Sequence, residues 1–102
     1  METQTVEYKQ IWRDDFLKEI CSFANAKGGT LYVGIADNGE VVGVDNPHKL
    51  QEDIPNKIVQ KLGIVCSVNQ HTKDGKTYLE IIVEPNMAAI AYNGAYYIRS
   101  GS

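Results

Sequence analysis

The sequence has 102 residues, of which 43% are hydrophobic and 23% are charged. This length fits one domain, and the composition excludes a collagen-like, fibrous or disordered chain. Lys and Arg number 10 against 13 Asp and Glu, so the net charge of −3 does not favour a strongly basic nucleic-acid binder. The longest apolar runs fall short of the roughly 18 residues that a membrane-spanning helix needs.

The first ten residues lack the apolar stretch of a secretory signal, which favours a cytoplasmic protein. Cys21 and Cys66 lie far apart, without the spacing typical of a zinc site. A disulfide would require an oxidising compartment. We therefore expect both cysteines to be buried as small apolar side chains.

The first half of the chain predicts a strand, a helix and a hairpin. Residues 4–9 alternate in side-chain character and predict a strand with Val6 and Tyr8 on one face. Residues 11–26 repeat apolar side chains every three or four positions and predict a helix that ends before Gly28. Residues 30–36 predict the next strand, and the turn that follows predicts a return strand over 41–44.

A second helix is predicted over residues 46–63, with Asn46 as its cap and Pro47 in its first turn. Pro55 conflicts with this pattern because proline inside a helix costs about 3 kcal/mol. We therefore expect a short first turn and a main helix that begins near residue 53 or 55. Gly63 is expected to end it.

The last third predicts strands joined by tight turns. Residues 64–71 and 77–84 flank a Lys-Asp-Gly turn, and residues 89–92 and 95–99 flank an Asn-Gly turn. The order β-α-β-β-α-β-β-β-β predicts a single α+β domain with two helices on a mixed, mostly antiparallel sheet.

Four segments together resemble a known family. They are residues 6–9, the Phe-Ala-Asn-Ala-Lys-Gly-Gly run that continues to Ile35, residues 37–44, and the closing Tyr-Tyr-Ile-Arg-Ser-Gly-Ser of residues 96–102. In this order and spacing they resemble the Schlafen-like Alba domain, a family also classified as divergent AAA proteins. The resemblance covers almost the whole chain, and we expect one domain of this family over residues 1–102.

The resemblance implies a DNA-binding domain of a transcriptional-regulator type. Bacterial members usually carry this domain ahead of a winged-helix or helicase-like region. We therefore expect the chain to be either a domain excised from a longer protein or a minimal member of the family.

The older AAA classification would suggest ATP, but Lys27-Gly28-Gly29-Thr30 does not fit a phosphate loop. A phosphate loop leads from a strand into the N-terminus of a helix, where free N–H groups face phosphate. Here the glycines follow the C-terminus of a helix, which is partially negative. We expect a structural turn and no ATP.

Three other residues receive structural roles. Gly34 and Gly43 lie within predicted strands, where glycine marks close packing, and we assign that packing to Trp12 and Phe16 of the first helix. Asn25 is expected to cap a turn at the end of that helix.

An acidic set offers an enzymatic alternative through the resemblance, because animal Schlafen proteins include metal-dependent ribonucleases. Glu2, Glu7 and Asp37 match that acidic cluster, and Lys9 follows Glu7. Three converging carboxylates can hold Mg²⁺ or Mn²⁺, which activates water at a phosphodiester while a lysine neutralises the phosphate. The ordinary alternative is a surface ion pair and a common turn residue.

Basic and aromatic side chains form the binding hypothesis. Lysine and arginine beside aromatic rings suit nucleic acid, single strands especially. The candidates are Lys57, Lys61, Lys73, Lys76, Arg99 and Tyr97. Charge alone favours an ordinary solvated surface, and the resemblance makes nucleic-acid binding the leading prediction.

The net acidity then predicts weak, salt-sensitive contacts with DNA or RNA that a homodimer or a further region would strengthen. A third possibility is an oligomerisation module without a ligand.

Overall fold

The computed structural model describes residues 2–99. Four strands and two helices follow one another along the chain, with a short 3-10 turn at Asp14–Phe16 ahead of the first helix. The strands are β1 (Val6–Lys9), β2 (Gly29–Val33), β3 (Ser67–Lys73) and β4 (Lys76–Val83), and the helices are α1 (Leu17–Ala24) and α2 (Pro47–Leu62). In the described chain, neither helix is long and apolar enough to cross a bilayer.

The sheet is mixed and has the order β1-β2-β4-β3. β1 and β2 are parallel, whereas β2 with β4 and β3 with β4 are antiparallel. Both helices pack on one face of the sheet. The core lies between these two layers and contains fully buried side chains from both, including Leu17, Ile20, Phe23, Leu31, Ile54, Ile58, Leu79 and Ile81. The predicted α+β class is confirmed.

The predicted helix bounds were partly wrong. The first helix begins later than residue 11, and a 3-10 turn replaces its first turn. The second helix is continuous through Pro55, so the predicted break does not occur. The missing N–H costs one helical hydrogen bond, but Ile54 and Ile58 are fully buried, and burial of each stabilises the helix by about 1.5–3 kcal/mol.

The helix ends agree better with prediction. Pro47 is the first residue of α2, and Gly63 closes it in the left-handed region at φ 72°. Asn46 holds the cap position but its side chain makes no capping hydrogen bond. Its carbonyl instead accepts from the Leu50 N–H.

Two predicted hairpins are reduced to isolated bridges, so the predicted nine-element order was wrong in its extra strands. Residues 41–44 form an isolated bridge between Ile35 and Val41, and the N–H groups of Val42 and Gly43 both donate to the Gly34 carbonyl. Residues 89–99 pair only at Tyr92 and Ala95. There the Asn25 side chain, and not a second strand, bonds to the backbone. Its amide donates to the carbonyls of Ile90 and Tyr97, and its Oδ1 accepts from the Ile90 N–H.

The close packing expected at Gly34 and Gly43 is present, but β4 supplies it and α1 does not. A Cβ added at Gly34 would lie 3.1 Å from the Tyr78 Cβ, and one added at Gly43 would lie 3.1 Å from the Lys76 Cβ. The assignment to Trp12 and Phe16 was wrong because the loop between β2 and α2 folds over the start of β4.

Candidate nucleic-acid interface and the acidic corner

The face of the sheet away from the helices is the open sheet face. Residues alternate between the two faces along each strand, and the register places partners side by side on the same face. The β4 residues Leu79 and Ile81 point into the core, so Tyr78 and Glu80 point outward. The open sheet face therefore carries Val6, Tyr8, Thr30, Tyr32, Ser67, Asn69, His71, Lys73, Lys76, Tyr78, Glu80 and Ile82.

Four rings cross the open sheet face in an aromatic row, one from each strand. Tyr8 on β1 lies 5.9 Å from Tyr32 on β2, measured between ring centroids. Tyr32 lies 6.1 Å from Tyr78 on β4, which lies 5.4 Å from His71 on β3. The three tyrosines are half-buried and His71 is exposed. The row therefore presents ring surface to solvent across the full width of the sheet.

Glu80 lies among these rings and is held by polar side chains. Its Oε1 lies 2.9 Å from Nε2 of His71 and accepts a hydrogen bond from Nδ2 of Asn69 at 3.4 Å. Burial raises the pKa of the Tyr32 hydroxyl, and the nearby Glu80 carboxylate raises it further. The phenol therefore stays protonated and can donate to Glu80.

A lysine pair ends this face at the turn between β3 and β4. Lys73 and Lys76 are cross-strand partners and both are exposed. They lie two residues along β3 and β4 from His71 and Tyr78, on the same face of the sheet. Neither forms an ion pair within residues 2–99. They line a cleft of about 350 Å³ together with Asp74 and residues 39–41. Two of the predicted basic residues are thus brought together beside aromatic rings.

The other predicted lysines lie in the helix layer. Lys57 and Lys61 are on α2, and Nζ of Lys57 lies 2.7 Å from Oδ1 of Asp14. The hydrogen bond from Lys57, with a further one from Trp12, lowers the pKa of Asp14. These lysines do not join the lysine pair on the open sheet face.

Tyr97 and Arg99 have internal roles. The Tyr97 ring packs against the core beside Tyr92, and its carbonyl accepts from the Asn25 amide at 2.8 Å. The Arg99 side chain is only 8% exposed. Its guanidinium lies 4.5 Å from the Phe23 ring centre and donates to the carbonyls of Thr3 and Gln4. A role for either in binding a ligand stays a prediction.

The acidic corner consists of Glu2, Glu7, Lys9, Glu19 and Arg99. Nη1 of Arg99 donates to Glu7 at 3.0 Å and to Glu19 at 3.2 Å. Nζ of Lys9 lies 3.3 Å from Glu7 and 4.0 Å from Glu19, and above the Phe16 ring. Two cations therefore neutralise two carboxylates in a half-buried cluster.

The pKa values of Glu2 and Glu7 shift in opposite directions. The hydrogen bond with Glu7 and burial raise the pKa of Glu2, and the charge of Asp37 adds to this. Burial alone would raise the pKa of Glu7, but hydrogen bonds from Glu2 and Arg99, with Lys9 beside them, leave it lowered. Of the two carboxyl groups, Glu2 therefore takes up a proton at a higher pH than Glu7 does.

The predicted metal ligands lie near one another, but their oxygens have other partners. Glu2 accepts from the Tyr8 N–H at 3.0 Å, and Glu7 is bound by Arg99 and Lys9. Within residues 2–99, no three His, Cys, Asp or Glu side chains are placed to share a metal ion. The arrangement does not fit Mg²⁺ or Mn²⁺ as it stands, and the site stays a prediction that requires these side chains to rearrange.

Sequence reasoning missed the aromatic row and Glu19. The strand alternation placed Tyr8 on the same face as Val6, but the cross-strand register that aligns Tyr32, Tyr78 and His71 depends on the strand order. A parallel β1–β2 pair is not indicated by any turn motif. Glu19 was not among the predicted site residues, because its contact with Arg99 spans 80 positions.

The sequence matches the protein family described as Schlafen, AlbA_2 over residues 2–102. The chain belongs to this family. The match covers the closing residues 100–102, which lie outside the described structure, and it confirms the family resemblance. No curated protein matches the chain.

Two solved structures resemble this AlbA_2 domain. One is the DIP2311 protein from Corynebacterium diphtheriae, with a TM-score of 0.75 and 21% identity over 97% of this chain. The chain spans 22% of the length of that protein. The other is the N-terminal domain of a RecG-related protein from Nitrosomonas europaea, with a TM-score of 0.67 and 24% identity over 96% of this chain and 78% of the other. These likenesses concern the fold.

Proposed function

We propose that this AlbA_2 domain is a nucleic-acid-binding module of a transcriptional-regulator type. The lysine pair on the open sheet face carries the proposal, because Lys73 and Lys76 are exposed, adjacent and free of ion pairs within residues 2–99. Such a pair suits two successive phosphates. The family membership supports the proposal, and the RecG-related protein whose N-terminal domain shares this fold is consistent with it.

The charges around the pair set the strength of this contact. Asp74 lies in the turn between the two lysines, and Glu40 lines the same cleft. The net charge of the whole chain is −3. A single domain therefore binds weakly and in a salt-sensitive way, and a second copy or an adjoining domain would raise the affinity through effective concentration.

Fluorescence anisotropy with labelled DNA and RNA oligonucleotides tests the proposal. The double variant Lys73→Gln/Lys76→Gln should weaken binding and reduce the slope of log K against log salt by about 1.4 for a single strand. Lys18→Gln is the matched control, because Lys18 is a partly exposed lysine on α1 paired with Asp15. Absence of any anisotropy change at low salt, or equal loss in the control, would overturn the proposal.

The same samples separate the two alternatives. Incubation with Mn²⁺ and structured RNA, followed by electrophoresis, tests the ribonuclease alternative, and cleavage that Asp37→Ala abolishes would support it. Light scattering across a range of concentrations tests the oligomerisation module. A concentration-dependent mass without binding or cleavage would favour that module over the proposed function.

A further inference from the structure

The aromatic row offers ring surface that the fold does not use in its core. The core lies on the opposite face of the sheet, and the row lines the open sheet face from β1 to β3. The half-buried rings of Tyr8, Tyr32 and Tyr78 lie 5.9–6.1 Å apart in tilted contacts, and His71 lies 5.4 Å from Tyr78, so neighbouring rings restrict one another's movement. Fixed aromatic surface beside cations is the arrangement on which unpaired bases stack.

We propose that the aromatic row binds the unpaired bases of single-stranded nucleic acid, with the lysine pair holding the adjoining phosphates. This inference rests on the proposed function and specifies its ligand. Lys73 and Lys76 lie on the same strands and the same face as His71 and Tyr78, two residues further along each strand, so the cations directly follow the rings on this face. A duplex keeps its base faces stacked internally and offers the rings nothing to contact.

Glu80 decides between a nucleic acid and a basic peptide as the occupant. Its carboxylate lies inside the row and would attract a cationic peptide, whereas it opposes a phosphate backbone. His71 and Asn69 contact this carboxylate at 2.9 and 3.4 Å, which reduces the opposition. Glu80→Gln keeps the hydrogen-bonding shape and removes the charge. It should therefore strengthen the binding of a single strand and weaken that of a basic peptide.

Fluorescence anisotropy with labelled oligo-dT and oligo-U of about 12 nucleotides measures the stacking, with a hairpin duplex of the same label as comparison. Tyr32→Leu and Tyr78→Leu should each weaken single-strand binding roughly tenfold. Tyr32→Phe, which keeps the ring, should bind like the unaltered protein. Tyr96→Leu is the matched control, because Tyr96 is 70% exposed and lies outside the row.

The outcomes separate the two proposals. If the lysine variant weakens binding but the tyrosine variants do not, or if duplex binds as tightly as single strand, the aromatic row is not the ligand site and the proposed function stands. If neither oligonucleotide binds, the proposed function fails and this inference fails with it. If Glu80→Gln weakens single-strand binding, and a basic peptide binds the unaltered protein more tightly than the single strand does, the row is a peptide site and this inference fails.

A second measurement uses the unaltered protein, in case a leucine variant unfolds. Photocrosslinking to bromouridine-substituted oligo-U, mapped by mass spectrometry, should label peptides that contain Tyr8, Tyr32 or Tyr78. Circular dichroism melting identifies variants that have lost the fold. Crosslinks confined to α2 or to residues 86–99 would overturn the proposal regardless of the variants.

Discussion

Arg99→Ala should destabilise the domain more than any exposed charge substitution. The Arg99 side chain is 8% exposed and binds β1, α1 and the backbone of residues 3 and 4. Removal leaves Glu7 and Glu19 without the guanidinium and the carbonyls of Thr3 and Gln4 without a donor. It also removes the cation above the Phe23 ring.

The magnitude follows from these contacts. Breaking a buried ion pair by removing one partner costs about 3–5 kcal/mol. Lys9 remains 3.3 Å from Glu7, and the Glu19 side chain is 32% exposed, so both carboxylates keep some compensation. We therefore expect a loss of about 3 kcal/mol, which lowers Tm by about 12–24 °C for a chain of this size.

Urea denaturation followed by circular dichroism measures this loss. Arg13→Ala is the matched control, because Arg13 is exposed and its side chain has no partner within residues 2–99; it should change stability by less than about 0.5 kcal/mol. Arg99→Lys keeps the charge but not the planar fork, and should fall between the two. A loss for Arg99→Ala no larger than that of Arg13→Ala would refute the reasoning.

The stability lost in Arg99→Ala should depend on pH. The pKa of Glu7 is lowered in the folded protein from an ordinary value of 4.5, so its contacts stabilise the fold above that value and lose effect as the pH falls through the lowered pKa. Arg99→Ala removes one of the lowering contacts. The difference in stability between the two proteins should therefore be largest near pH 7 and narrow below about pH 4. A constant difference would assign the effect to packing on Phe23.

Three further predictions concern the fold. Asn25→Ala removes three hydrogen bonds to the backbone of residues 90–97 and should lower the free energy of unfolding by about 2–4 kcal/mol. Hydrogen exchange and proteolysis should become faster in that segment alone, and unchanged exchange there would contradict the assigned role. Gly28→Ala places a Cβ 2.6 Å from a β4 carbonyl. It should destabilise the fold clearly more than Gly63→Ala, which costs roughly 1 kcal/mol because Gly63 has a similar positive φ but open space around it. Equal falls in Tm for the two variants would rule out the clash. Burial raises the pKa of the Cys66 thiol to about 11, so its alkylation at pH 8 should be roughly 100-fold slower in the folded protein than in the urea-unfolded chain. A similar rate in both states would show that the thiol is accessible.

Local patterns predicted the elements whose causes are local. The second helix was predicted over residues 46–63 and forms over Pro47–Leu62, and Gly63 ends it in the left-handed region as expected. The break expected at Pro55 did not occur because the burial of its neighbours is a tertiary effect that the local cost of proline does not include.

The candidate interface depends on contacts between distant parts of the chain. Lys73 and Lys76 flank a tight turn, so their proximity could be read from the sequence. The alignment of Tyr8 with Tyr32 needs a parallel pairing that only the folded sheet supplies. The opposite holds for Arg99, whose charge suggested a phosphate contact although its partners are 80 and 92 positions away.

The two edges of the sheet bear on how this protein could associate with itself. On β1, the outward Tyr8 N–H is bound by the Glu2 carboxylate, and the Val6 carbonyl accepts from Thr3. On β3, the Val68 carbonyl accepts from the side-chain amide of Gln51. An added strand would have to break these bonds before the sheet could continue into a neighbour. The β1 edge is therefore protected at residues 6 and 8, and a strand added beside β3 would first have to displace Gln51 from the Val68 carbonyl.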